Sequence, residues 1–315
     1  MSARDQAVLV IGELNVDVIA AGLAQAPELG RELEAKSFEV VLGSASAIFA
    51  SGLCKLGHPV AFVSKVGDDW FGKLCRQKLA ALGVDTEWVQ TSRGSVTGVT
   101  LCLSTRKDRA QVTFPGAIAE LCLADVPHKA FEGFCHLHLS CYALQKRLRP
   151  DFPWLFATAR RRGLSTSFDP NCSLRGALRQ QALRVLPHVD LLFLNEQEAA
   201  ELSGKSNARA AASQLSGRAA HVVVKLGSRG ALAAREGKVV TAAGRRARVV
   251  DTTGAGDSFA AGYVAAFLAG GSVRDCLQQG NACGALSTRG VGGTAAQPRR
   301  EELVRFLAGA TRSKA

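Results

Sequence analysis

This sequence predicts an α/β fold, a doubly wound and mostly parallel sheet carrying a small β-sheet lid, and three observations predict it. Short apolar runs alternate along the chain with Ala-rich amphipathic stretches, the pattern of parallel strands covered by helices on both faces. Two stretches, at about 16–41 and 97–115, break that rhythm with β-prone residues and no helical period. The length, 315 residues without a repeat or long linker, suits one large α/β domain with a small subdomain grafted on.

Taken in order, the apolar run 8–11 opens the chain as a buried strand, and 60–63, 136–139, 164–168, 191–194 and 222–225 repeat it. Between these runs, 45–56, 72–82, 154–161, 197–202 and 208–215 carry the apolar spacing of amphipathic helices. Thr97-Gly-Val-Thr-Leu-Cys-Leu-Ser104 followed by Ala110-Gln-Val-Thr-Phe114 reads as a hairpin turning at Lys107-Asp108. Paired with the earlier β-prone stretch it would form one small sheet, a lid over a site at the strand ends.

Apolar residues at 47% and charged residues at 21% describe a globular chain. The run 8–11 is too short for a signal h-region, and the uncharged stretch 258–273 is broken by glycines and falls short of the roughly 20 residues of a membrane span. Neither export nor a membrane partner is expected. The nine cysteines, an odd number without CxxC, read as reduced core residues of a cytoplasmic protein. His136 and His138, two apart near Cys135, lack a third ligand at metal spacing. The net charge of +12 would suit nucleic acid, yet the basic runs at 146–149, 160–162 and 245–248 lie between elements and lack interleaved aromatics that stack on bases. Solvated faces and a small anionic substrate explain them more simply, so no nucleic-acid partner is expected.

The chemistry concentrates in Asp251-Thr-Thr-Gly-Ala-Gly-Asp257, which lies between Val249-Val250 and the apolar helical pattern 258–268. A Gly-rich turn that opens a buried helix points the amides of Gly254, Ala255 and Gly256 outward with the positive end of the helix dipole, which makes an anion site. A cap alone accounts for Asp257, but it leaves the glycines, the two threonines and Asp251 unexplained. Phosphoryl transfer takes them together: an alcohol loses its proton to the carboxylate as it attacks a terminal phosphate, and the amides hold the developing charge. Asn15 and Asp17, two residues apart after the first strand, point the same way and can reach one polyol, although turn formation accounts for them too.

These segments resemble the ribokinase-like family of sugar and nucleoside kinases, the PfkB carbohydrate kinases. The resemblance rests on Gly12-Glu-Leu-Asn15-Val-Asp17, the 43–57 segment closing in Lys-Leu-Gly, Lys65-Val-Gly-Asp-Asp-Trp-Phe-Gly72, Asp169-Pro-Asn171, Asn195-Glu-Gln-Glu198, Lys225-Leu-Gly-Ser-Arg-Gly230 and the 251–257 segment. They occur in family order across nearly the whole chain. The resemblance implies a three-layer ribokinase-like domain spanning 1–315, with ATP and Mg2+ as cofactors. By it Asp257 matches the base that deprotonates a substrate hydroxyl, and Gly254, Ala255 and Gly256 match the anion hole. Asn195 and Glu198 match the pattern that organises magnesium and water around the phosphates. Lys225, Gly227 and Gly230 match the strand and turn beside the nucleotide; Asn281 lies in the helix flanking the adenine, or serves as a polar core residue. Asp251 and Thr253 match a segment that gives oxygens to an activating potassium ion (K+) in many members. Asn15, Asp17, Gly43 and Ser44 match the substrate-binding positions, and members whose lid sheets pair imply a homodimer.

Three departures bear on the substrate. Ser44 stands where the family often has the second Gly of a pair, Ile48 where an Asn binds a sugar hydroxyl, and Ser140 where ribose-specific members carry Glu. They argue against ribose itself. The expected activity is transfer of the γ-phosphate to a hydroxyl of a sugar or sugar derivative, with Asp257 as base. A nucleoside kinase and a catalytically inactive metabolite-binding regulator are the alternatives.

Overall fold

The computed structural model describes residues 7–105 and 108–312. Its strands, in chain order, are β1 (Val8–Ile11), β2 (Asn15–Leu23), β3 (Ser37–Leu42), β4 (Val60–Gly67), β5 (Val89–Ser92), β6 (Gly98–Thr105), β7 (Arg109–Phe114), β8 (His136–Ser140), β9 (Ser165–Asp169), β10 (Leu191–Asn195), β11 (His221–Lys225), β12 (Gly230–Arg235) and β13 (Lys238–Ala243). The helices are α1 (Ala45–Lys55), α2 (Trp70–Ala81), α3 (Phe152–Arg161), α4 (Gly176–Val185), α5 (Glu196–Ser203), α6 (Ala208–Leu215), α7 (Ala255–Leu268), α8 (Val273–Ser287) and α9 (Arg300–Arg312).

One sheet runs β13-β12-β11-β10-β9-β8-β1-β4-β5. It is parallel from β11 to β5, and β12 is antiparallel to both of its neighbours. Side-chain alternation assigns the covering helices. Val8, Val10, Phe193 and Val223 join one core with residues of α1, α2, α7, α8 and α9. Leu9, Ile11, Leu192, Leu194, Val222 and Val224 join the other with residues of α3 to α6. Burial on both faces is what makes these strands read as uninterrupted apolar runs. Three strands and two helices escape the sequence pattern, β5, β12, β13, α4 and α9, and α8 entered it only through the resemblance. β12, Gly-Ala-Leu-Ala-Ala-Arg, has no β-branched residue; it is a strand because its backbone pairs with β11 on one side and β13 on the other.

The second sheet has the order β3-β2-β6-β7, with β2 and β6 parallel and both outer pairs antiparallel. At the expected Lys107-Asp108 turn, Lys107 lies outside the described residues; the Thr105 amide donates to the Asp108 carbonyl at 2.9 Å. Register puts Asp17, Thr100 and Thr113 on one face, with Gln111 and Arg109. The opposite face carries the exposed Phe38, Leu101, Val112 and Phe114.

His136 and His138 belong to the core. Both His136 ring nitrogens meet hydroxyls, of Ser165 and Ser167, at 2.7 Å, and His138 stacks on Phe49 with ring centroids 3.6 Å apart. Burial pushes His136 down to about 3. Among the described residues the cysteines form no disulfide, and no helix is long and apolar enough to cross a membrane.

Candidate active site

The parallel strands present their C-terminal ends along one edge, where register sets Ser140 beside Asp169 and Asn195 beside Lys225. The chain leaves β1 for β4 on one side and returns at β8 on the other, so the order reverses between β1 and β8. A reversal of this kind leaves a crevice outside the strand ends.

At one end of the crevice α7 begins, with Gly254 as its N-cap in the left-handed region at φ 70. A Cβ there would lie 2.7 Å from the Gly293 Cα and 3.0 Å from Ile48, so the turn requires glycine twice over, for its φ and for its space. Among the described residues the amides of Gly254 and Gly256 have no intramolecular acceptor, whereas that of Ala255 turns back to the Thr252 carbonyl at 3.2 Å. Two of the three expected amides are therefore open to an anion. Ile48 is buried and walls this loop against Gly254 and Gly293.

Asp257 sits in the first turn of α7, where its Oδ1 accepts from Asn171 Nδ2 at 3.1 Å. Burial pushes its pKa up, against the pull of Lys225 and the Asn171 bond. Lys225 Nζ reaches Asp169 Oδ2 at 2.5 Å, and a Cβ on Gly256 would stand 3.3 Å from that nitrogen, so the ammonium lies against the anion loop. Burial alone would lower Lys225, but Asp169, Glu198 and Asp257 around it hold it above its ordinary value.

Glu198 is 3% exposed, not a solvated helix-start acid. Its oxygens accept the amides of Asn195 at 2.8 Å and Cys172 at 3.1 Å, while Asn195 Oδ1 accepts the Glu198 amide at 2.8 Å. The pair is a capping box on α5, a reciprocal arrangement that fixes both side chains.

The other end of the crevice is lined by side chains. Asn15 Nδ2 lies 3.2 Å from Asp17 Oδ1 and 3.1 Å from Thr100 Oγ1. Gly43 makes this possible, because a Cβ would fall 2.2 Å from Asp17 Oδ1. Ser44, at φ 73, caps α1 by accepting the Ala47 amide at 2.9 Å and donates to the Glu13 carbonyl. Beneath them Glu13 is 1% exposed and accepts from the Ser46 amide and hydroxyl; the Ser46 hydroxyl is 2.5 Å from that of Ser140. A carboxylate that follows β1 thus connects, through Ser46, to Ser140, the β8 position for which the resemblance implies Glu in ribose-specific members. Burial raises Glu13 to about 7 and Asp17 to about 6.

The remaining candidates take other partners. Asp251 Oδ1 accepts the Thr253 amide and hydroxyl at 2.9 and 2.8 Å, and its Oδ2 accepts the Gly292 amide at 2.8 Å. Arg109 Nη1, from β7 of the small sheet, donates to Thr253 Oγ1 at 2.7 Å and lies 3.8 Å from Asp251 Oδ1. Asn281 Nδ2 donates to the carbonyls of Ala242 and Ala243, tying α8 to the end of β13, and Gly227 and Gly230 form the turn from β11 to β12 beside it. Sequence reasoning gave no role to Glu13, Arg109, Asp169 or Asn171. Gly12-Glu13 and Asp169-Pro-Asn171 lie inside recognised segments, so their positions were visible; nothing in the sequence around Arg109 points 144 residues ahead to Thr253.

Comparison with known proteins places these residues in context. Residues 5–300 match the pfkB family carbohydrate kinase model. The chain is similar to the 2-dehydro-3-deoxygluconokinase of Bacillus subtilis, at 34% identity over 90% of this chain and 91% of the relative. It is also similar to the ATP-dependent ribose-1-phosphate kinase of Halopiger xanaduensis, at 32% identity over 95% and 97%. A chain from E. coli designated ribokinase II, solved with ATP and Mg2+, superposes with a TM-score of 0.85 at 27% identity, covering 96% of this chain and 99% of that one.

Proposed function

The chain belongs to the pfkB family of carbohydrate kinases, and we propose that it transfers the γ-phosphate of ATP to a hydroxyl of a sugar or sugar derivative, with Asp257 as general base. One observation carries this reading: a buried carboxylate with a raised pKa, fixed by Asn171, in the same helical turn as the open amides of Gly254 and Gly256. The acceptor hydroxyl, held by Asn15 and Asp17, gives its proton to Asp257 as its oxygen bonds to the γ-phosphorus. The bond from that phosphorus to the bridging β,γ-oxygen breaks, and the electron pair leaves with ADP. The amides and the Lys225 ammonium offset the charge on the transferring group. Gly227, Gly230 and Asn281 are the proposed flank of the nucleotide.

The residues present fit a hydrated magnesium ion. Among the described residues Asp169 Oδ1 is buried with no hydrogen-bond partner and each Glu198 oxygen accepts one amide, leaving oxygen lone pairs of the hard type magnesium prefers. Among the described residues no cluster of three or more His, Cys, Asp or Glu can hold a metal alone, so Asp169 and Glu198 would hold the ion through water and phosphate. When bound, it would neutralise phosphate charge.

The small sheet, spanning about 16–41 and 97–115, is the proposed lid of a single domain. Pairing of two copies through its exposed apolar face, with Phe38, Leu101, Val112 and Phe114, remains part of the proposal. ATP consumption measured across sugars, sugar acids, sugar phosphates and nucleosides tests the activity. Turnover is expected with one sugar-derived group, turnover confined to nucleosides would move the acceptor class, and silence across all of them would overturn catalysis.

A further inference from the structure

The resemblance has Asp251 and Thr253 lend oxygens to a potassium ion, but Arg109 already places a positive charge beside both side chains. Asp251 Oδ1 already accepts two donors from Thr253, Asp251 Oδ2 accepts the Gly292 amide, and Thr253 Oγ1 accepts Arg109. A cation reaching Thr253 Oγ1 would have to displace a guanidinium that carries the same charge, and one reaching Asp251 would sit beside it.

Arg109 comes from the far end of β7, opposite Ser104, on the face of the small sheet that also presents Thr100 and Asp17. Its side chain is 35% accessible, and it bridges from that sheet to the residue immediately before the Gly254 cap. The geometry points to Arg109 as the positioning residue that supplies the positive charge at Asp251 in place of a monovalent cation, and so tethers the lid to the phosphate loop. Closing the small sheet over an acceptor and setting the 251–257 turn are then one event. Phosphate would meet an ordered anion site only under a closed lid, which limits transfer to water. The inference deepens the proposed kinase reading and rests on it for the word lid, but the tether itself is a matter of hydrogen bonds.

Two measurements test it on wild type, Arg109→Ala and Arg109→Lys, in KCl and in choline chloride at equal ionic strength. Hydrogen exchange across 251–257, read without substrates, should be faster in Arg109→Ala than in wild type, nearer wild type in Arg109→Lys, and indifferent to KCl in wild type. With MgATP and the acceptor found by the substrate screen, wild-type kcat/KM should be the same in both salts. Arg109→Ala should lose about 10- to 100-fold in choline, the loss of one charge-assisted hydrogen bond, and recover part of it in KCl. Unchanged exchange in Arg109→Ala, or a wild type whose turnover collapses without potassium, overturns the proposal. If no acceptor is turned over, the kinase reading fails while the exchange comparison still decides the tether.

Discussion

The two ends of the crevice are built by different means. The proposed phosphate end uses backbone and buried charge: the amides of Gly254 and Gly256, the Lys225–Asp169 pair, and Asp257 held by Asn171. The proposed acceptor end uses side chains from separate elements, with Asn15 and Asp17 on β2, Ser44 and Ser46 at the start of α1, Ser140 on β8, and Glu13 beneath them. Amides set by a tight turn tolerate little substitution, because the turn requires Gly254 for its φ and its space. A hydrogen-bonding side chain is exchanged at one position without disturbing the sheet. One end therefore states a reaction class, and the other states a preference among alcohols.

The sharpest way to break this contrast lies at the phosphate end. Asp257→Asn should keep MgATP affinity, measured by calorimetry, while kcat falls by about 10²–10⁴-fold. Near-wild-type turnover would falsify the base assignment. Lys225→Met should act on stability as well as rate, since it leaves Asp169 buried without its counter-charge; urea unfolding should register a loss of about 3–5 kcal/mol. A variant as stable as wild type would mean that Asp169 sheds its charge without cost.

At the acceptor end the expected effects are smaller and depend on pH. Burial raises Glu13 to about 7 from an ordinary value of 4.5, so the folded state keeps its proton to higher pH than the unfolded state. Its contribution to stability is complete below the lower value and is lost as pH rises through the upper one, on the order of 3 kcal/mol. Glu13→Gln should remove that part of the decline, and parallel stability profiles for the two proteins would show that Glu13 is not its source. Asp17, raised to about 6, accepts an acceptor hydroxyl more strongly once it ionises. The kcat/KM for acceptor should climb as pH passes about 6, and Asp17→Asn should flatten that climb and raise the acceptor KM about 10-fold with MgATP affinity unchanged. If ATP affinity falls instead, the two ends have been assigned the wrong way round.

Much of the architecture was legible because burial writes itself into sequence. Strands covered on both faces become apolar runs, and helix starts carry their caps, as Asn195 with Glu198 and Ser44 with α1 do. β12 and β13 were not legible, since β12 owes its strand to its neighbours and not to its residues. The same holds inside the site. Asp257 and the 254–256 turn stand out through local spacing and Glu198 through the resemblance, but their partners are contributed by strands and loops far away in the chain.

The sequence by itself determined the α/β class, the glycine turn at 254–256 and the family, because the first two depend on periodicity and local spacing and the third on short segments that each hold their order in the chain. Only the tertiary structure decided that Lys225 spends its charge on Asp169, that Glu13 reaches Ser140 through Ser46, and that Arg109 closes on Thr253. Those contacts join residues brought together by sheet register and by the folding of the small sheet over the strand ends. A hydrogen bond across 144 positions leaves no period in the chain, so it becomes visible only once the elements that carry its two ends are in place.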